Sequence, residues 1–360
     1  MKNLTKEDYK IKSKQMAVKP FVFNRPSVSS VSIRFLVLLL LQVLMLGLTK
    51  SYAALCVVGA STLAAILVST IDYFVNDCPL YKTLNLIIQG IIIGLLLPEN
   101  YPLVSVFFIT FIALFLSKTL IFNKVNTSIN VAALAVVIAW FVGKKFFPSF
   151  GITTDMITLK NSSMYLIQNG LFPIYKFDSM ITSFLNNHIL GLFNTTIPEG
   201  FVSMLWDTHS VIPAFRFNIL TIISSIFLFA DKAFSGIIPV LFLFVYSLLV
   251  RLFSSFAFGG LINQGDMILA LLTSGVLFGT VFLMQLYCSN PVTLTGKIIQ
   301  GIILGALGFA IIGCGTSPIG MAYTVLIGNI TSMIIRVFEE KHNNRVITKN
   351  YSNKVVQGEI

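Results

Sequence analysis

From Val31 to Phe338 the chain alternates long apolar runs with short polar breaks. An apolar run of about 20 residues, wound as a helix, matches the thickness of a bilayer's hydrocarbon core. Ten runs have this character: 33–49, 52–75, 83–98, 102–121, 129–146, 215–231, 235–253, 266–286, 297–315 and 317–336. They are apolar all round rather than along one stripe, so lipid or protein must surround them. The pattern predicts an all-α polytopic membrane protein with ten transmembrane helices and argues against a soluble core.

The runs fall into two sets of five around a long segment. This gives five parts: a basic N-terminal tail (1–30), a first five-helix half (31–146), a connecting segment (147–214), a second half (215–338) and a polar C-terminal tail (339–360). An odd number of helices per half turns the second half upside down relative to the first, so inverted repeats are expected. The connecting segment is too long for a structureless loop. It reads as short amphipathic pieces, Met164–Phe172 and Met180–Phe193, and should form an external cap. The strings Gln89–Gly94 and Gln300–Gly305 place Gly90/Gly94 and Gly301/Gly305 as small pairs for close helix packing.

Composition agrees with the pattern: 56% of residues are hydrophobic and 11% charged, against about 25% charged in soluble domains. The net charge of +11 could suggest a nucleic-acid partner, but its placement speaks against one. With both termini in the cytoplasm, only Lys50, Lys144, Lys145, Lys160, Lys176, Arg216 and Arg251 fall outside. The positive-inside bias therefore sets the orientation and adds attraction to anionic lipid. A bacterial inner membrane is the expected location. The first 30 residues are polar and basic, with no cleavable signal peptide evident. Cys56, Cys78, Cys288 and Cys314 are isolated and read as small hydrophobes.

Candidate chemistry is sparse. Asp72, Glu99, Lys118, Asp231, Lys232, Arg251 and Asp266 all lie at run ends, where interface anchoring explains them. No paired acids occur mid-run, and His188, His209 and His342 are dispersed outside the runs. No catalytic residue, nucleophile–base pair or metal cluster is read. The loops Ser289–Lys297 and Gly315–Gly320 put hydroxyl residues, Pro and Gly at helix starts. Such starts either bind an anion such as phosphate or are simply capped.

The order and spacing of several residues resemble the D-type membrane subunit of the Rnf electron-transport complex. They are more distantly similar to the B-type membrane subunit of the sodium-pumping NADH:quinone reductase. The residues are Ser274-Gly275 with Gly279, Pro291-Val292-Thr293 with Gly296, and Pro318, Gly320, Ala322-Tyr323 and Asn329. In the first half they are Gly94 to Pro98, Lys118, and Asn130 with Ala132. The resemblance covers about residues 33–336. It implies a fold like that of urea-type transporters, with two inverted five-helix halves. It also implies a protein that works with the other members of an Rnf-type complex.

The same resemblance implies FMN joined through a phosphoester to a Thr in the external segment, within a Ser-Gly-Ala-Thr-like motif. The nearest match is Ser179-Met180-Ile181-Thr182, which makes Thr182 the candidate acceptor and Ser179 its motif partner. It departs from the motif: the Gly is missing, and Met180 and Ile181 crowd the acceptor. Two acidic family positions are apolar here, Leu286 and Ile319, and the usual Asn-Pro-Ala reads Asn130-Val131-Ala132. The expected function is a membrane component of a Na+- or H+-translocating electron-transport complex, divergent at its flavin site. The alternative is a channel or transporter for a small solute or cofactor. In that reading Thr293, Thr295, Ser317, Asn130 and Asn329 line a neutral polar path, and Thr293, Ser317, Asn130 and Asn329 serve as cofactor-contacting candidates.

Overall fold

The structure is a computed structural model that describes residues 27–76, 80–117, 129–148, 173–230, 234–257, 262–263, 265–285, 290–313 and 317–356. Among these residues the regular elements are all helical. The first set is α1 (Val28–Leu48), α2 (Tyr52–Asn76), α3 (Leu80–Leu96), α4 (Leu103–Leu116) and α5 (Val131–Gly143). Two short helices follow, α6 (Asp178–His188) and α7 (Phe201–Trp206). The second set is α8 (Asn218–Ala230), α9 (Ile237–Ala257), α10 (Met267–Thr273), α11 (Val276–Phe278), α12 (Leu294–Ile312) and α13 (Gly320–Val356). A π-helical turn, Gly279–Leu283, continues α11.

By length and composition, four described helices can cross a bilayer: Val28–Leu48, Tyr52–Val75, Leu294–Ile312 and Gly320–Val346. Four more are apolar but shorter: Thr83–Leu96, Leu103–Leu116, Asn218–Ala230 and Ile237–Phe253. Every run read from the sequence contains helix. The run 266–286 is not one continuous helix, however. It breaks at Ser274-Gly275, where Gly275 adopts φ +68°. A side chain there would collide with the Phe215 ring, 2.0 Å from the ideal Cβ position. The break frees carbonyls in an apolar setting, which must be satisfied internally. Asn218 does this: its Nδ2 donates to Leu272 O at 2.9 Å and to Met204 O at 3.2 Å.

Small residues set the tightest contacts. α3 packs on α2 and α12 on α9. A Cβ on Gly94 would lie 2.7 Å from Val58 Cα, and one on Gly90 3.0 Å from Ser61 O. A Cβ on Gly301 would lie 2.8 Å from Leu241 Cβ, and one on Gly305 2.6 Å from Val245 Cβ. Between lipid-soluble helices, close van der Waals packing of this kind replaces the hydrophobic effect. The two sets are joined by Gln42 of α1, whose Nε2 donates to Thr221 Oγ1 of α8 at 3.1 Å.

Residues 173–217 cover one end of the bundle, the cap end. The α1–α2 and α3–α4 turns meet them there: Glu99 N–H donates to Val211 O at 3.0 Å, and Arg216 reaches Ser51. The opposite end, where late α13 meets the start of α12, is the tail end. Of the two amphipathic pieces read from sequence, Met180–Phe193 is α6 followed by a 3-10 turn at Leu190–Phe193. Met164–Phe172 lies outside the described residues, as do Cys78, Cys288, Cys314, Lys118, Asp231, Lys232 and Leu286.

Candidate functional site

The cap end is built on two buried carboxylates. Asp178 opens α6 and is completely buried. Its Oδ1 accepts the Gly200 N–H at 3.0 Å and the Thr182 hydroxyl at 2.9 Å. Its Oδ2 accepts both the N–H and the hydroxyl of Ser203, each at 2.6 Å. One side chain thus receives donors from its own helix and from the start of α7. Burial pushes the Asp178 carboxyl up, but the Ser203, Gly200 and Thr182 hydrogen bonds outweigh it and hold it below the usual carboxylate range.

Ser179 and Thr182 both lie inside α6. Thr182 is 3% exposed, and its hydroxyl is committed to Asp178. A phosphoester needs that oxygen free and open to the incoming phosphate. The residues around Thr182 do not fit an ester-linked flavin in this arrangement. Ser179 is exposed.

The second carboxylate is Asp207. It is bound through two parallel contacts by Arg216, Nε to Oδ1 at 2.9 Å and Nη2 to Oδ2 at 2.6 Å. The pair is buried, with side-chain exposures of 8% for Arg216 and 1% for Asp207. Such a forked pairing is the strong form of the ion pair. The remaining Arg216 branch donates to Ser51, which ties the segment to the α1–α2 turn. Thr208 reinforces the loop by donating from its hydroxyl to Phe215 O at 2.8 Å.

A cavity of about 430 Å³ opens beside this pair, lined in part by Ser51, Glu99, Tyr175, Asp207, His209 and Arg216. His209 holds a left-handed backbone (φ 53°), and its ring lies 3.3 Å from the Tyr175 hydroxyl. Burial, then the Asp207 charge, push the Tyr175 phenol above its ordinary value, with Arg216 opposing. Among the described residues no three of His, Cys, Asp and Glu are grouped to hold a metal ion. Sequence alone left Asp207 unremarked in the connecting segment and Arg216 as an outside cation at the start of the run 215–231. The available signal was an Asp and an Arg nine residues apart where the connecting segment meets an apolar run.

The tail end answers the question of an open anion site at a helix start. Thr293 caps α12, its Oγ1 accepting Gly296 N–H at 3.0 Å. Glu339, from late α13, accepts the N–H groups of Val292 at 3.0 Å and Thr293 at 3.1 Å, and the Thr293 hydroxyl as well. Arg336 donates to Asn290 O at 3.1 Å. The N-terminus of α12 is occupied by the protein's own carboxylate, which is what its partial positive charge favours. Thr293 is thus engaged. Thr295 is exposed, so it lines no internal path, and Ser317 precedes α13 at the other end of that helix.

Inside the bundle Asn130 caps α5, accepting Ala133 N–H at 3.0 Å and donating to Leu283 O at 2.6 Å in the π-helical turn. Asn329 lies on α13, which packs on both α5 and that turn. The helices bearing Asn130 and Asn329 are therefore brought together, while Thr293, Thr295 and Ser317 are elsewhere. Asn329 is 3% exposed, and its Nδ2 has no hydrogen-bond partner. Gln285, not singled out from the sequence, is also buried, with both amide atoms unpartnered. Amides inside an apolar run were the signal for these residues.

Comparison with known proteins fits this architecture. A family model described as the NQR2, RnfD, RnfE family matches residues 15–345. The D subunit of the Na(+)-translocating ferredoxin:NAD(+) oxidoreductase complex of Acetobacterium woodii is 31% identical over 97 residues, which cover 27% of this chain and 29% of that protein. The D subunit of the ion-translocating oxidoreductase complex of Cellvibrio japonicus is 29% identical over 119 residues, covering 33% of each chain. The chain thus matches a third or less of the length of these curated relatives. A family match over nearly the whole chain, together with its apolar helices, establishes that the protein is a multi-pass membrane protein belonging to the NQR2, RnfD, RnfE family.

Proposed function

We propose that this chain is a membrane subunit of an Rnf-type ion-translocating electron-transport complex. The carrying observation is the family match across residues 15–345. The names of the two relatives, both D subunits of ion-translocating oxidoreductases, support it. In this reading the chain lies in a bacterial inner membrane, with the cap end outside and both tails in the cytoplasm. Ten spans form two inverted five-helix halves. The packing supports that repeat: with α10, α11 and the π-helical turn counted as one broken span, the second span of each set packs on the fourth, α2 on α4 and α9 on α12.

FMN, if this protein carries it, would supply one- and two-electron redox chemistry. The chain's own residues around Thr182 do something else. The hydroxyl is held against Asp178, and Asp178 fastens α6 to α7. The role these residues support is a scaffold that holds the cap over the bundle.

A second reading, a channel for a small neutral solute, is favoured by one observation. Gln285 and Asn329 place unpartnered amides within the bundle, where neutral hydrogen-bonding groups can replace a solute's water.

The experiment is purification of the tagged full-length chain from native membranes in mild detergent, with in-gel flavin fluorescence beside a Thr182→Ala variant. Co-purification of flavin- and cluster-bearing partner proteins is expected, with no fluorescent band on this chain that the variant removes. A chain that purifies alone as a homo-oligomer overturns the complex reading and favours the channel. A fluorescent band lost in Thr182→Ala overturns the scaffold role given to that residue.

A further inference from the structure

The side of α6 turned away from the protein is apolar. Asp178 and Thr182 hold one side of the helix against α7. On the other side Phe177, Met180, Ile181 and Phe184 follow the three- and four-residue spacing of a single helical face. All four are exposed, Met180 by 76% and Phe184 by 55%, and Leu192 just beyond is 80% exposed. The one carboxylate of α6, Asp178, is buried, and the titratable group on this face is His188 at the end of the helix, its ring stacked on Phe184 at 4.7 Å. A helix with an apolar face and low overall hydrophobicity suits the boundary between lipid headgroups and acyl chains.

The position of α6 agrees. Asp178 ties the start of α6 to the start of α7, and Asn218 of α8 donates to Met204 O of α7. α6 is therefore stacked through α7 on the cap end of α8. The described part of α8, Asn218–Ala230, is an apolar helix of 13 residues. Met204 of α7 bonds to Asn218, the first residue of this apolar helix, so α7 and the α6 joined to it lie where the helix ends rather than far above it. The stack on which α6 rests is itself apolar on its outside. Ile222, Ile223, Ile226 and Phe227 of α8 are exposed, as lipid-facing residues are. Trp206, the last residue of α7, is 41% exposed, and Phe177 meets its ring at 6.2 Å. Aromatic rings of this kind concentrate at the membrane–water boundary.

We propose that α6 is an interfacial helix whose Met180–Phe184 face is occupied by phospholipid of the cap-side leaflet. Asp178 and Thr182 lock the inner face, and lipid covers the outer one. The cap is then fastened both to the bundle and to the bilayer. This rests on the membrane-spanning character of the protein and not on its membership of a complex.

The test uses the full-length chain in phospholipid vesicles. Trp140→Phe and Trp206→Phe remove both native tryptophans, and Met180→Trp adds a reporter on the exposed face. Phe184→Trp in the same background is a second reporter one turn away. Phospholipid brominated near the top of its acyl chains should quench either reporter about twofold or more, while aqueous iodide should have little effect. Quenching by iodide instead overturns the proposal, because the face then lies in water. Quenching by neither agent also overturns it, because the face is then covered by protein, whether another part of this chain or a partner protein.

Discussion

The two ends of the bundle solve the same problem with opposite degrees of burial. At the cap end Asp178 and Asp207 are removed from solvent and saturated with donors. At the tail end Glu339 performs a similar task, receiving two backbone N–H groups and a hydroxyl, but it remains partly open to solvent. A buried charge is tolerated only with its partners in place, and losing one partner is costly. A solvated charge loses much less, because water takes over. The cap end is therefore built as a rigid clamp, whereas the tail end is an adjustable one.

This contrast can be broken at several points. The largest effect is expected from Arg216→Met, which leaves Asp207 buried without its cation. The loss should be about 3–5 kcal/mol, read as a drop in thermal unfolding of the purified protein in detergent. Replacing both members by apolar residues should recover much of that loss. Asp178→Ala comes next. It strands the Gly200 and Ser203 amides and the Ser203 and Thr182 hydroxyls, at about 3 kcal/mol. Limited proteolysis should then cut within residues 178–206 before the helical bundle is attacked. Equal resistance of variant and parent would remove the clamp reading.

Acid sharpens the comparison. The folded Asp178 carboxyl is held below its ordinary value, so its contribution is fully present above that value. The contribution fades as pH falls through the lower folded value, that is, below about pH 4. Hydrogen exchange at the Gly200 and Ser203 amides should stay slow down to that range and speed up beneath it. Asp178→Asn should abolish the step. The smallest effect belongs to Glu339→Gln, which keeps acceptor atoms beside α12 and stays near solvent. A cost of about 1 kcal/mol is expected, and a loss as large as that of Asp178→Ala would erase the difference between the ends.

Much of the helical plan was legible in the sequence. Apolar runs have a length and a lack of polar stripe that only a lipid-surrounded helix satisfies, so each run contains helix. Gly90, Gly94, Gly301 and Gly305 were readable as close-packing positions because a missing side chain is itself a local signal. The site was less legible. Ser179 and Thr182 matched a motif by spacing, yet the helix they occupy buries one and exposes the other, since a helix turns neighbouring residues in different directions. Thr293 and Ser317 look alike as hydroxyls before helices, but only Thr293 meets a carboxylate, and that carboxylate comes from 46 residues further along the chain.

The sequence by itself determined that the chain lives in a membrane, where its helices run and which positions must be small. Those properties depend on local hydrophobicity and on side-chain size. Only the tertiary structure decided that Asp178 and Asp207 become buried clamps, that Glu339 fills the start of α12, and that the run 266–286 breaks at Gly275 against Phe215. Most of these join residues distant in the chain, and Asp207 and Arg216, nine residues apart, meet only because the turn between them folds back. For the buried pairs, a low-dielectric interior makes such pairings carry large energies that no local pattern records.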